Sequence, residues 1–279
     1  MNTGRPSRTA QRVAVRRAAH QLIDRPLIFE DPFALKIIGP DAAAATEAKA
    51  EGSISSAFRA FMAVRSRYSE DELAHAVARG VRQYVVLGAG LDTFAWRNPF
   101  AGLRVFEVDY PATQHWKRQR VANVEMGVPE SLTFAPVDFE SQTLAEGLAA
   151  AGFRADQPAY FSWLGVTMYL TREAFESTLR FIGALPAISG VTFDYAVERD
   201  ELGFFEKLAL DHLGKKVAAI GEPFQLFFRP PDLAETMRRL GFRDLEDMSK
   251  DDLNGRYLHG RTDGLRVKGG IGRLLRARN

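Results

Sequence analysis

The chain has 279 residues, 46% of them hydrophobic, and a formal net charge of +2 at pH 7. That suffices for one large domain with a real core, and the interleaved charges leave no polyanion-binding face, so nucleic acid is not an expected partner. The lack of cysteine excludes disulfides, thiolate nucleophiles and Cys-type zinc sites, and no apolar run approaches the ~20 residues that span a bilayer.

In chain order, residues 1–8 read as a disordered tail. Residues 9–22 predict a weakly amphipathic helix with Thr9 as its cap. Arg12, Arg16 and Arg17 on this helix, and Arg273, Arg276 and Arg278 at the other end, read as solvated terminal faces. The Arg-rich start lacks the apolar stretch of a secretory signal, which points to a cytoplasmic protein with no membrane partner. Residues 24–33 are a connector holding Pro26 and Pro32. A short helix follows to Ile38, stopped by Gly39-Pro40. Residues 42–50 predict an Ala-rich helix, and 58–79 a longer one ended by Gly80. Residues 1–80 thus form a helical cap segment, and 81–279 the core.

From position 81 the pattern changes to strand–helix alternation. Strands are predicted at 83–88, 103–109, 132–137, 159–164 and 191–197, and helices at 111–126, 141–151 and 171–184. The runs are nearly all apolar, as expected of strands buried on both faces of a mostly parallel sheet. Residues 200–228 predict a helical insertion rich in phenylalanine. A helix from Pro230 to Leu240 and strands at 242–248 and 270–277 close the chain.

The first strand, Tyr84-Val85-Val86-Leu87, ends in Gly88-Ala89-Gly90-Leu91-Asp92-Thr93, and Asp109 ends the second strand, 21 positions after Gly88. A glycine turn lets backbone approach a ligand, and an acid at the next strand tip can accept ribose hydroxyls. The dinucleotide fingerprint needs a third glycine where Thr93 stands, so a nicotinamide or flavin dinucleotide is disfavoured. An adenosine cofactor without a diphosphate, such as S-adenosyl-L-methionine, fits better. Asp138 can accept from an adenine amine, with Phe139 or Leu91 against the ring; a helix-cap role is the alternative for both acids. Gly165 permits close approach, and Met168 and Tyr169 offer an apolar wall. Arg65 can clamp a carboxylate, although its spacing alone favours a solvent-facing side chain. No metal-ligand spacing is present among the histidines.

Arg65-x-Arg67-Tyr68, Val86-Leu87-Gly88-Ala89-Gly90-Leu91-Asp92-Thr93 with Trp96-Arg97, Phe106-Glu107-Val108-Asp109, Val137-Asp138-Phe139 and Trp163-Leu164-Gly165-Val166-Thr167-Met168-Tyr169-Leu170-Thr171 together resemble the leucine carboxyl methyltransferase-like family, in its mycobacterial-type branch. The resemblance covers roughly residues 9–278. It implies a Rossmann-like class I methyltransferase fold, an α/β seven-stranded sheet with an antiparallel last strand and a helical cap, and S-adenosyl-L-methionine as cofactor. It also implies Arg65 on the methionine carboxylate, Gly88 beside the cofactor, Asp109 on the ribose, and Asp138 with Phe139 at the adenine. The candidate cofactor-binding residues are therefore Arg65, Gly88, Gly90, Asp109, Asp138, Phe139 and Leu164. Leu164 stands where the leucine-modifying enzymes carry a glutamate, so the C-terminal leucine of a protein phosphatase is not the expected acceptor.

The expected reaction is methyl transfer to a carboxylate or hydroxyl oxygen of a small molecule. Alternatives are a cofactor-binding protein without catalysis and, less favoured, a dinucleotide oxidoreductase. A carboxylate acceptor needs no base. For a hydroxyl acceptor, Tyr195, Glu198 and His212 are the candidates, and Phe204, Phe205, Phe224, Phe227 and Phe228 suggest an apolar acceptor pocket or a cap core.

Overall fold

The computed structural model describes residues 8–49, 55–139, 141–219 and 221–279. The tail expected at 1–8 lies outside them, apart from Arg8. In chain order the elements are α1 (Arg8–Ile23), α2 (Ala34–Ile38), α3 (Pro40–Lys49), α4 (Ser56–Ala78), β1 (Gln83–Leu87), α5 (Phe94–Arg97), β2 (Arg104–Asp109), α6 (Pro111–Asn123), β3 (Leu132–Pro136), α7 (Leu144–Ala150), β4 (Ala159–Trp163), α8 (Arg172–Gly183), β5 (Gly190–Ala196), α9 (Phe204–Ala218), α10 (Pro230–Arg239), β6 (Asp244–Met248), α11 (Lys250–Tyr257) and β7 (Gly272–Arg278).

The seven strands form one sheet in the order β3-β2-β1-β4-β5-β7-β6, parallel except for β7, which runs antiparallel to both β5 and β6. The order reverses between β1 and β4. In open α/β sheets ligands bind at that switch point, outside the carboxyl ends of the strands. Strands β1, β4 and β5 are buried along their whole length, as their apolar runs predicted.

Several boundaries moved for local reasons. Gly39, at φ 84°, does end α2, but Pro40 then opens α3 rather than breaking the chain, because proline suits the first helical position. Helix α7 starts at Leu144, where Thr143 and Glu146 form a capping box. The insertion is one helix, α9, followed by an irregular return. Helices α5 and α11 and the 3-10 turn Thr167–Tyr169 had no clear sequence signal. The helix expected to reach Ala50 ends, within the described residues, at Lys49.

Helix α1 is docked by a stripe of small residues. Ala14 and Ala18 are buried with Ile37, Ile38 and Leu91, so α1 lies close to α2, α6 and the turn after β1. The terminal arginines are a solvated face only in part: Arg12 is exposed and Arg16 half-exposed, whereas the others fold onto acids. Arg17 is 5% exposed and pairs with Asp31 at 2.8 Å. Arg276 and Arg278 fold onto the buried Glu72 of α4, and Arg273 pairs with Asp247 at 2.9 Å. The dense acids on α4 and β6 gave those cations partners that the linear pattern hid. No described helix is long and apolar enough to cross a membrane.

Candidate cofactor site

The glycine turn follows β1 directly. Gly88 and Gly90 have φ of 64° and 49°, the left-handed region that glycine enters without strain. The space is as demanding as the torsion. A Cβ on Gly88 would stand 2.4 Å from Cγ2 of Val166, which follows β4, and one on Gly90 would meet Ala10 of α1 at 3.0 Å. The turn is thus pressed between the β4 tip and α1.

The three strand tips are stitched together. The Gly90 amide donates to Oδ2 of Asp109 at 2.6 Å, joining β1 to β2, and the Val137 amide donates to the Asp109 carbonyl at 2.9 Å, joining β2 to β3. Asp109 Oδ1 also accepts the Tyr110 amide at 2.8 Å. Burial raises the Asp109 carboxyl above its ordinary range, while the amides of Gly90 and Tyr110 and the Lys117 ammonium pull it back. A carboxylate has about four lone-pair positions, and two are engaged, so a half-buried Asp109 keeps acceptor capacity. Asp109 is not the helix cap: the cap residue of α6 is Tyr110, which makes no side-chain cap bond.

Behind the turn lies a buried pair that sequence reasoning passed over. Glu107, on the same face as Asp109, accepts from Lys117 of α6, and Lys117 also donates to the Asp92 carbonyl at 2.7 Å. Both side chains are at most 2% exposed. Burial pushes the Glu107 carboxyl up to about 7, against the pull of Lys117. The pair fixes the floor of the turn.

The Asp92-Thr93 part of the motif is structural as well. Asp92 Oδ1 accepts the Phe94 amide at 2.7 Å, starting α5, and the Thr93 hydroxyl donates to Asp31 of the cap connector at 2.8 Å. Arg97 forks onto Glu70 and lies 4.6 Å over the Phe29 ring. Leu91 is 3% exposed in the α1 cluster and its carbonyl takes Arg17, so it is not an adenine wall.

Arg65 does not face solvent. It is 5% exposed, and its Nη1 donates to Oδ2 of Asp194, in the middle of β5, at 2.7 Å. Asp194 Oδ1 accepts the Gly165 amide after β4. Gly165 has φ 76°, and a Cβ there would come within 3.1 Å of both terminal nitrogens of Arg65. Asp194 was missed because β5 reads as an apolar run. Val191, Phe193 and Tyr195 go to the core face, which turns Thr192 and Asp194 to the α4 side. Only one of the guanidinium's five N–H donors is accounted for by this bond, so Arg65 can also hold a ligand carboxylate.

The remaining candidates divide. Asp138 is half-buried after β3, its carbonyl accepting the amides of Ser141 and Gln142, and Phe139 is 57% exposed beside it. Leu164 packs partly buried on the α4 cluster. Tyr195 is 1% exposed and donates to Asp247 at 2.7 Å, so burial and that acid keep its phenol protonated and unsuited to act as a base. His212 is exposed on α9 and does not line a cavity of about 860 Å³ whose wall includes Glu198, Arg172, Phe224 and Phe227. Phe204 and Phe205 are 72% and 82% exposed, whereas Phe228 is core at 2%. The apolar pocket expected from five phenylalanines therefore rests on Phe224 and Phe227. This cavity meets the post-β4 segment where the Gln225 amide donates to the Met168 carbonyl at 2.7 Å and Tyr169 and Phe224 ring centroids lie 5.3 Å apart.

These donors suit an adenosyl sulfonium: an acceptor carboxylate at the β2 tip, a guanidinium at the β4 tip, and no diphosphate cradle between them. Together with the sheet order they define a class I methyltransferase. Residues 10–183 match the leucine carboxyl methyltransferase family model. The Bacillus subtilis protein named "Putative S-adenosyl-L-methionine-dependent methyltransferase YktD" is 36% identical over 207 residues, which span 72% of this chain and 67% of that protein. A relative of the same type from Parafrankia sp. is 37% identical over 155 residues, 55% of this chain and 48% of the relative's length. A crystal structure of a DUF574 family protein from Streptomyces avermitilis shares the fold, with a TM-score of 0.57 at 17% identity over 95% of this chain and 96% of that one. The chain belongs to the leucine carboxyl methyltransferase family, and is an S-adenosyl-L-methionine-dependent methyltransferase.

Proposed function

We propose that the protein transfers a methyl group to a carboxylate or hydroxyl oxygen of a small molecule, acting in the cytoplasm, with residues 1–80 as a cap over the core 81–279. The observation that carries the site is the bond from the Gly90 amide to Asp109, which brings two strand tips to one point at the sheet's switch position. In this reading Asp109 accepts the ribose hydroxyls, and Asp138 and Phe139 hold the adenine. Gly88 and Gly90 give the cofactor backbone contact, Leu164 supplies an apolar wall, and Arg65, held in place by Asp194, binds the amino-acid carboxylate. The cofactor supplies a sulfonium methyl as electrophile.

The chain's own contribution is alignment and exclusion of water, which suffice when the acceptor oxygen is already ionised. Tyr169 sits beside this end, its phenol pushed up to about 12 by burial and by Glu222 and Asp194, so it stays a hydrogen-bond donor. For a hydroxyl acceptor, Glu198 on the cavity wall is the remaining carboxylate base candidate. A screen of labelled S-adenosyl-L-methionine against carboxylates and phenols tests this function. Transfer to oxygen is the expected result. No transfer by a protein that binds the cofactor would leave a binding protein, and binding of NAD instead would point to an oxidoreductase.

A further inference from the structure

Arg16 of α1 is an unusual cation. It is only half-exposed, its guanidinium lies 5.2 Å above the Phe58 ring of α4, and its Nη1 donates to the carbonyl of Arg12 at 3.2 Å. No ion pair reaches it among the described residues. Phe58 and Arg65 are seven positions apart on α4, two turns along one face, so Arg16 hangs over the helix that carries Arg65. Burial and the charges of Arg12 and Arg65 lower its affinity for a proton.

The acids nearby are engaged. Asp194 serves Arg65 and the Gly165 amide, and Glu222 accepts the Thr9 hydroxyl one turn before Arg12 on the same α1. Ala10 presses the same turn of α1 onto Gly90. Helix α1 therefore holds, against the face of α4 that carries Arg65, a guanidinium with no ion-pair partner among the described residues. A partly desolvated guanidinium gains more from an anionic partner than one that stands fully in water.

We propose that Arg16 binds a carboxylate of the methyl acceptor, held flat by Phe58, so that this enzyme selects anionic small molecules. This rests on the cofactor reading above, in which Arg65 serves the cofactor's own carboxylate. A planar guanidinium over an aromatic face presents its N–H edge for bidentate pairing with a carboxylate.

The test uses the full chain, titrated first with S-adenosylhomocysteine and then, when loaded, with a panel of aryl and alkyl carboxylates such as phenylacetate and decanoate, each matched to its amide. At least one carboxylate should bind tenfold or more tightly than its amide. Arg16→Gln should remove that preference while keeping S-adenosylhomocysteine affinity within twofold, and Arg16→Lys should restore part of it. Thermal melts check that both variants fold. No carboxylate preference anywhere in the panel, or a preference unchanged in Arg16→Gln, overturns the proposal. Weakened S-adenosylhomocysteine binding in Arg16→Gln also overturns it, assigning Arg16 to the cofactor's carboxylate. Failure of the unmodified chain to bind S-adenosylhomocysteine at all would instead sink the cofactor reading itself.

Discussion

The two ends of the crevice are built on different principles. At the proposed methionine end, a buried ion pair joins α4 to β5 across 129 positions of sequence, and a glycine amide shares its acid. At the proposed adenosine end, Asp109 is a half-buried carboxylate at the β2 tip, Phe139 after β3 is exposed, and the buried pair of Glu107 and Lys117 lies behind the turn. One end is a fully buried ion pair, whereas the other is a half-buried strand-tip junction with an exposed rim. Damage to the first should therefore cost fold and binding together, and damage to the second binding more than fold.

That contrast can be broken or sharpened in steps. Asp194→Ala leaves Arg65 buried without its partner and should destabilise the fold by about 3–5 kcal/mol, read by denaturant unfolding. A loss below about 1 kcal/mol would put Arg65 among surface charges and erase the contrast.

Glu107 comes next. Burial raises its carboxyl to about 7 in the folded protein, from the ordinary glutamate value of 4.5 when unfolded. Between those values the folded state holds the proton longer, so this group favours folding at low pH. That advantage fades as pH rises and is gone above about 7, a swing of up to roughly 3 kcal/mol. Carboxyl NMR should show Glu107 titrating well above the ordinary range; a midpoint near 4 would mean that Lys117 wins over burial.

Asp109→Ala should weaken S-adenosylhomocysteine at least tenfold, for loss of a hydrogen bond to a charged group worth ~1.5–3 kcal/mol, and should cost about 1–3 kcal/mol of stability because the Gly90 and Tyr110 amides lose their acceptor. Unchanged affinity in the folded variant would remove Asp109 from the site. The smallest effect is expected from Phe139→Ala: stability within about 0.5 kcal/mol and affinity down about three- to tenfold, the range of one aromatic stacking contact. An equal loss of stability would make Phe139 a packing residue.

The same contrast explains what was legible in the sequence. Apolar runs and the glycine turn are local signals, so β1 to β5, the turn and Asp109 could be read from the chain. Asp194 could not, because one acid in an apolar strand acquires meaning only when the sheet brings it beneath Arg65. The partners of Arg276 and Arg278 were hidden for the same reason: Glu72 lies about two hundred positions away, on a helix that only topology places against β7. The docking of α1 was hidden by its composition, since alanines that pack closely give little amphipathic contrast. The phenylalanines of the insertion carried too much weight, because hydrophobic content does not say which face of α9 meets the core.

The most direct measurement is a crystal structure of the full chain with S-adenosylhomocysteine. The account predicts ribose hydroxyls on the Asp109 carboxylate while Gly90 keeps its bond to the same group, the adenine beside Asp138 and Phe139, and the amino-acid carboxylate on Arg65 with Asp194 still behind it. A nucleoside bound elsewhere, or an Arg65 that makes no contact with the ligand's carboxylate, would contradict it.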